Sequence, residues 1–213
     1  MARTKGSRNT NYEARRAELA ARALPAFLKT GGHPASFRSL ARDIGVDAST
    51  LRHYFGDYDG LFQAAFQHLE QGSRVFREPF NTFAKLPPEQ GLRDALMSVL
   101  TGWKNGMDHL FNVALIGGLG NKVRGPAVVE YLLEPSLSAF DDLLSAYAEQ
   151  GVFHVRDPRA SSLMALTPLY FLLLHQHGLS GEARYPSDIE DYLDQHIHLI
   201  LRAHQPNTNN DQR

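Results

Sequence analysis

The sequence predicts an all-α chain: an N-terminal three-helix domain containing a helix-turn-helix, then a larger helical domain. Three observations carry this. Apolar residues recur three and four apart along nearly the whole chain, and no stretch of any length alternates apolar with polar residues as a half-buried strand would. Gly and Pro punctuate those periodic stretches, as at Gly31-Gly32, Pro79 and Pro87-Pro88. The run from Ser36 to Phe62, SFRSLARDIGVDASTLRHYFGDYDGLF, reads as two short helices around one tight turn, with a further helix starting directly afterwards.

Residues 1–11, MARTKGSRNTN, are polar and basic with no apolar anchor, so a flexible arm is expected there. A first helix follows, carrying Leu19, Ala23, Ala26 and Phe27 on one side until Gly31-Gly32 stops it. Pro25 lies inside this helix, removes the hydrogen bond to Ala21, and is expected to kink or split it. In the next pair, small Ala41 and Gly45 let two helices cross closely, and Leu40, Ile44 and Val46 fill the sites between. Gly45 ends the first of the pair because the turn needs positive φ, and Asp47 is placed to cap the second. On that second helix Ala48, Leu51 and Phe55 point inward, while Ser49, Thr50, Arg52 and His53 spread over the outer side. A fourth helix is expected from Tyr58 to Arg77, then a loop containing Phe80 and Phe83, then helices near 89–104, 107–117, 126–150, 159–177 and 188–204. The last has a capping box at Ser187-Asp-Ile-Glu190 and a stripe of Ile189, Tyr192, Leu193, Ile197, Ile200 and Leu201.

An outward-facing helix with hydroxyls, an arginine and a histidine suits base edges and phosphates. Charge supports a nucleic-acid partner. Residues 1–56 hold ten Lys and Arg against four Asp and Glu, net +6, whereas residues 57–213 hold twelve against nineteen, net −7. The near-neutral total thus hides a basic head joined to an acidic remainder. The base-contact candidates are Arg38, Ser49, Arg52 and His53, and the phosphate candidates are Ser36, Thr50, Tyr54 and Tyr58. Arg3, Lys5 and Arg8 of the arm are expected to follow phosphates or enter a minor groove.

The N-terminal sixty residues resemble the tetracycline-repressor (TetR) family of bacterial regulators. The resemblance rests on Leu19, Ala23 and Phe27, on Gly31, on the Arg38-Ser-Leu-Ala41 segment, on Gly45-Val46, and on Thr50-Leu51 through Phe55 to Leu61. Three positions depart from the family's habit: Arg52 stands where a tyrosine is usual, Tyr54 where a histidine is usual, and Tyr58 where a lysine is common. Operator preference therefore does not transfer from relatives. The resemblance implies a flexible arm at 1–11, a DNA-binding domain at 12–60, a ligand-binding and dimerisation domain at 61–205, and a disordered tail at 206–213. It also implies a homodimer bound to a palindromic double-stranded operator, repressing until a small, mostly hydrophobic effector enters a helical pocket and the fourth helix transmits the change. Trp103, Met107, Phe111, Tyr131, Tyr170, Leu174 and His175 are the candidates to line that pocket. The helices at 159–177 and 188–204 resemble the family's dimer-forming pair.

Other classes find less support. At 213 residues, 43% hydrophobic and 21% charged, the chain has room for one small and one medium domain. Its longest strongly apolar run, Leu163 to Leu174, falls short of a membrane span, and the N-terminus lacks a secretory apolar stretch, so a cytoplasmic protein is expected. Zero cysteines exclude disulfides and thiolate metal sites. No enzyme is expected, because the chain has no nucleophile elbow, no His-Glu-x-x-His and no carboxylate pair in context. Gly117-Gly118-Leu-Gly120 breaks a helix but lacks the preceding strand and the ending of a phosphate loop. No cofactor is expected. The alternative readings are a metal-responsive regulator using His175 and His177 or His196 and His198, although residues two apart on a helix face opposite ways, and, with less support, a helical enzyme with a fortuitous basic head.

Overall fold

The computed structural model describes residues 7–31, 33 and 36–206, the side chains of 7–10 and 70–77 excepted. All regular structure among them is helical. In chain order the helices are α1 (Ser7–Lys29), α2 (Phe37–Ile44), α3 (Ala48–Phe55), α4 (Tyr58–Arg77), α5 (Phe80–Phe83), α6 (Pro88–Gly102), α7 (Asp108–Gly118), α8 (Arg124–Val128), α9 (Glu134–Glu149), α10 (Pro158–Leu173) and α11 (Ile189–Ala203). π-helical turns cover Val129–Leu133 and Leu174–Gly178, whereas within Trp103–Met107 the chain leaves helical geometry at Asn105 and Gly106, the latter at φ 105°. The chain forms two compact units, one from the described residues of Met1–Ser73 and His109–Leu133, the other from those of Arg74–Asp108 and Glu134–Arg213.

The first unit is organised by apolar faces meeting at helical spacing. Leu19, Ala23 and Phe27 of α1, Leu40, Ala41 and Ile44 of α2, Leu51 and Phe55 of α3, and Leu61, Phe62, Ala65 and Phe66 of α4 are buried. The segment 109–133 belongs to the same unit, with Leu110, Val113 and Ala114 of α7 buried. Its fit explains the glycine cluster. A Cβ at Gly117 would lie 2.8 Å from Phe62 Cε2, and one at Gly118 would lie 3.0 Å from Val128 Cγ2. These glycines allow close approach of helices, not the cradling of an anion.

In the second unit α10 packs along α9, and α11 along α6. Tyr147 of α9 ties down the chain before α6, its hydroxyl donating to the Phe83 carbonyl at 2.8 Å and to the Leu86 carbonyl at 3.3 Å. Burial, with Asp94's negative charge adding to it, pushes that phenol up to about 12. Two buried histidines join helices: His196 Nε2 donates to the Ala165 carbonyl at 2.8 Å, and His204 Nε2 lies 2.9 Å from Ser161 Oγ.

Several local expectations differ from this fold. α1 starts at Ser7, so residues 7–11 are helix where an arm was expected; residues 1–6 lie outside the described ones, as do 207–213 of the expected tail. Pro25 does not split α1, which runs on to Lys29. Asp47 occupies the N-cap of α3 with extended backbone, but its side chain makes no cap bond; its carbonyl accepts from Thr50 N and Leu51 N. The cap of α11 is Asp188, one residue later than the expected box, and its carboxylate accepts from Glu190 N and Asp191 N. The loop holding Phe80 and Phe83 is a single helical turn, closed because Phe80 is buried edge-on against Phe140 at 5.3 Å. The helix expected over 126–150 is α8, a π turn and α9.

Candidate nucleic-acid interface

The turn between α2 and α3 is set by residues that satisfy its polar groups. Ser36 caps α2, its hydroxyl accepting from Ser39 N at 3.0 Å. Gly45 takes φ 78°, a left-handed conformation that closes the helix, and Val46 N donates back to the Ala41 carbonyl at 2.9 Å. The Arg22 guanidinium, reaching from α1, donates to the Ile44 carbonyl, which places a cation at the negative end of α2. α4 starts just as tightly, Asp57 Oδ1 accepting from Gly60 N at 2.9 Å.

With Leu51 and Phe55 buried, α3 turns Ser49, Arg52 and His53 to solvent and leaves Thr50 and Tyr54 half-buried. Arg38 and Ser36 are exposed beside them. The Arg52 guanidinium lies 5.9 Å from the centre of the Phe37 ring, so one face of it rests on an aromatic side chain. Other cations of the head are already engaged: Arg15 with Glu18 at 2.6 Å, and Lys29 with Asp43 at 3.3 Å. The hydrogen bond from Arg15 holds the Glu18 carboxyl below its ordinary value.

Tyr58 differs from the phosphate role expected of it. Its ring stands edge-on to Phe27 at 5.4 Å and its hydroxyl is buried, which pushes the phenol pKa upward. Arg124 covers it, the guanidinium 5.2 Å from the Tyr58 ring centre and 5.9 Å from that of Phe62. Arg124 Nε also lies 3.0 Å from Asp59 Oδ1, an ion pair whose alignment falls short of a hydrogen bond. Asn121 completes the group: its side-chain oxygen accepts from Val123 N and Arg124 N, and its amide donates to Asp59 Oδ2 at 3.3 Å. Sequence reasoning missed this cluster because Asp59 and Arg124 are 65 positions apart and no local pattern joins them. It also missed Tyr12 and Arg16, which lie within the expected first helix and whose spacing of four, putting them on one face, was a legible signal.

The pocket candidates fall into both units. Trp103, buried, and Met107, Tyr170, Leu174 and His175, half-buried, are in the second, whereas Phe111 and Tyr131, half-buried, are in the first. Tyr170 points its phenol inward, 3.3 Å from Ser136 Oγ, and burial raises its pKa against the opposing effect of that bond. His175 Nδ1 accepts from Gln176 at 2.7 Å, and His177 lies 3.1 Å from Glu182. Among the described residues no group of three or more His, Asp or Glu is gathered as a metal site. No described helix is long and apolar enough to cross a membrane.

No family model matches the chain. A protein from Mesorhizobium loti assigned to the TetR family of transcriptional regulators superposes with a TM-score of 0.72 at 17% identity, over 91% of this chain and 98% of that one. The fold is that of the TetR-family transcriptional regulators. The TetR-family regulator PfmR from Thermus thermophilus superposes with a TM-score of 0.54 at 20% identity, over 88% of this chain and 94% of its own. The transcriptional regulator FadR from Bacillus subtilis, solved with stearoyl-CoA, gives 0.61 at 15% identity over 86% and 96%. In sequence, the HTH-type transcriptional regulator BetI of Ectopseudomonas mendocina (strain ymp) is 40% identical over 57 residues, which is 27% of this chain and spans 29% of that protein's length. These relatives are regulators, and none is described as an enzyme.

Proposed function

We propose that this chain is a TetR-family transcriptional regulator that binds a palindromic duplex operator as a homodimer, represses, and is released by a small, mostly hydrophobic effector. The observation that carries the reading is α3: its apolar residues are consumed by the core, and Ser49, Arg52 and His53 are exposed together on a helix-turn-helix closed by Gly45. Arg38 on α2 adds a further base-contact candidate, and Ser36, Thr50 and Tyr54 supply phosphate contacts. Twofold assembly is supported by apolar side chains left exposed on the second unit's helices, Leu163, Met164 and Phe171 of α10 and Leu199 of α11. A lipophilic effector is supported by the apolar residues of the second unit that carry few polar handles, chiefly Tyr170 with Ser136, and by the acyl-CoA held by FadR. Trp103, Met107, Tyr170, Leu174 and His175 are its proposed contacts. A coupling of about 1–3 kcal/mol between effector and operator would suffice for the switch. The test is selection of bound sequences from random duplex DNA. Recovery of an inverted repeat supports the reading, and no enrichment at moderate salt overturns it.

A further inference from the structure

We infer that Tyr12 is a positioning residue for sequence reading, fixing the His53 imidazole of α3 so that it meets one base in each half-site. The inference rests on the proposal that α3 contacts the operator through its exposed residues, and on contacts that proposal does not use. Residues 12 and 16 of α1 share a face. From that face Tyr12 packs its ring against Tyr54, with ring centres 4.8 Å apart and planes tilted by 30°, and meets His53 edge-on at 5.7 Å and 82°. Arg16 sets its guanidinium 5.4 Å from the Phe55 ring centre. His53 is itself edge-on to Tyr54 at 5.0 Å and 81°. One side of α1 therefore grips three consecutive residues, 53 to 55, in the last turn of the recognition helix.

Core packing does not explain Tyr12. The buried face of α1 begins at Leu19, and Tyr12 is only half-buried while His53 is exposed. An exposed imidazole ordinarily samples several rotamers and gives up that freedom when it binds. Held against two tyrosine rings, His53 presents its ring nitrogens, one donor and one acceptor in the neutral form, in one orientation before DNA arrives. Such fixed geometry discriminates between base edges better than a freely turning side chain does. Tyr12 does this without touching a base, which separates it from the exposed residues of α3.

The full-length wild type, Tyr12→Leu, Tyr12→Phe and His53→Ala are compared by competition among duplexes that vary the selected operator one position at a time. Tyr12→Leu should flatten preference at the same half-site position as His53→Ala, by roughly tenfold in the ratio of affinities. Preference elsewhere should stay within about twofold, and Tyr12→Phe, which keeps the ring, should retain wild-type discrimination. Unchanged preference in Tyr12→Leu, or a uniform loss at every position, which is the behaviour of a phosphate contact, would overturn the inference. Tyr12→Gln replaces the leucine variant if that fails to fold. A second readout needs no DNA. His53 ring-proton resonances, identified by their loss in His53→Gln, should be displaced by the tyrosine ring currents in the wild type and return toward free-histidine positions in Tyr12→Leu. Undisplaced His53 signals in the wild type would also overturn it. Failure of the wild type to enrich any sequence is a separate result, which removes the DNA-binding reading and this inference with it.

Discussion

Gly117→Ala should destabilise the protein although it replaces a helical glycine by the best helix former. Left to propensity alone, the change at this α7 position would stabilise by about 0.5–1 kcal/mol. The added Cβ, however, would stand 2.8 Å from Phe62 Cε2 and 3.1 Å from Cζ, where real Cβ atoms essentially never come within 3.0 Å. The ring has little room to retreat: Phe62 is fully buried, stacked on Phe66 at 4.5 Å, edge-on to Phe27 at 5.3 Å, and covered by Arg124. Overpacking a close-packed site costs about 1–3 kcal/mol, so the net loss should be roughly 0.5–2 kcal/mol. At about 2–4 °C per kcal/mol for a chain of this length, the midpoint should fall by roughly 1–8 °C. Thermal and urea unfolding of Gly117→Ala, Phe62→Leu and the double variant form a cycle in which the smaller residue 62 relieves the clash. Gly102→Ala is the control, because its Cβ would meet nothing nearer than Met107 Cγ at 3.6 Å, and it should be neutral or stabilising. An unchanged or raised midpoint for Gly117→Ala, with no coupling to residue 62, would refute the close approach of α7 to α4.

Arg124→Ala should lower stability by about 1–3 kcal/mol, from loss of the aromatic contacts and of a half-screened ion pair with Asp59, and urea unfolding beside Asp59→Asn would show the two changes to be less than additive. Tyr147→Phe should be less stable than the wild type near neutrality, since the Phe83 and Leu86 carbonyls lose their donor. The folded protein holds the Tyr147 phenol protonated up to about 12, so its contribution is fully present below pH 10 and lost as pH rises towards 12; the variant should lack that part of the alkaline decline, and equal alkaline slopes would refute it. Arg52→Ala should relax operator preference at one position per half-site if Arg52 meets a base and weaken all sequences alike if it meets phosphate, while unchanged affinity for every duplex would remove it from the interface.

What was legible in the sequence was what neighbours within one or two turns decide. Gly45 announces its left-handed turn because it has no Cβ, and the inward set of Leu51 and Phe55 fixes, through helical spacing alone, which face of α3 is left for solvent. The bounds of α4, Tyr58 to Arg77, followed from the same periodicity. Features that depend on distant partners were not legible. Tyr58 could be read as a phosphate donor only until Arg124 was seen above its ring, and the glycines at 117 and 118 looked like helix breakers until Phe62 and Val128 filled the space beside them. The turn at Phe80 was hidden by Pro79 and Pro87, whose loop signal outweighed a four-residue helix stabilised by burial against Phe140. Caps shifted by a residue for a similar reason: Asp188 and Ser187 both have capping oxygens, and only the backbone geometry decides between them.

Twofold sequence reading by α3 shows in the affinity for the selected duplex against a scrambled duplex of equal length and composition, titrated from 50 to 200 mM salt, roughly a fourfold range. Both affinities should fall as salt rises, because Lys and Arg displace counterions in each complex, while the selected duplex stays about a thousandfold or more tighter with two protomers bound per inverted repeat. Equal affinity for the two duplexes at every salt concentration would mean that α3 does not read sequence.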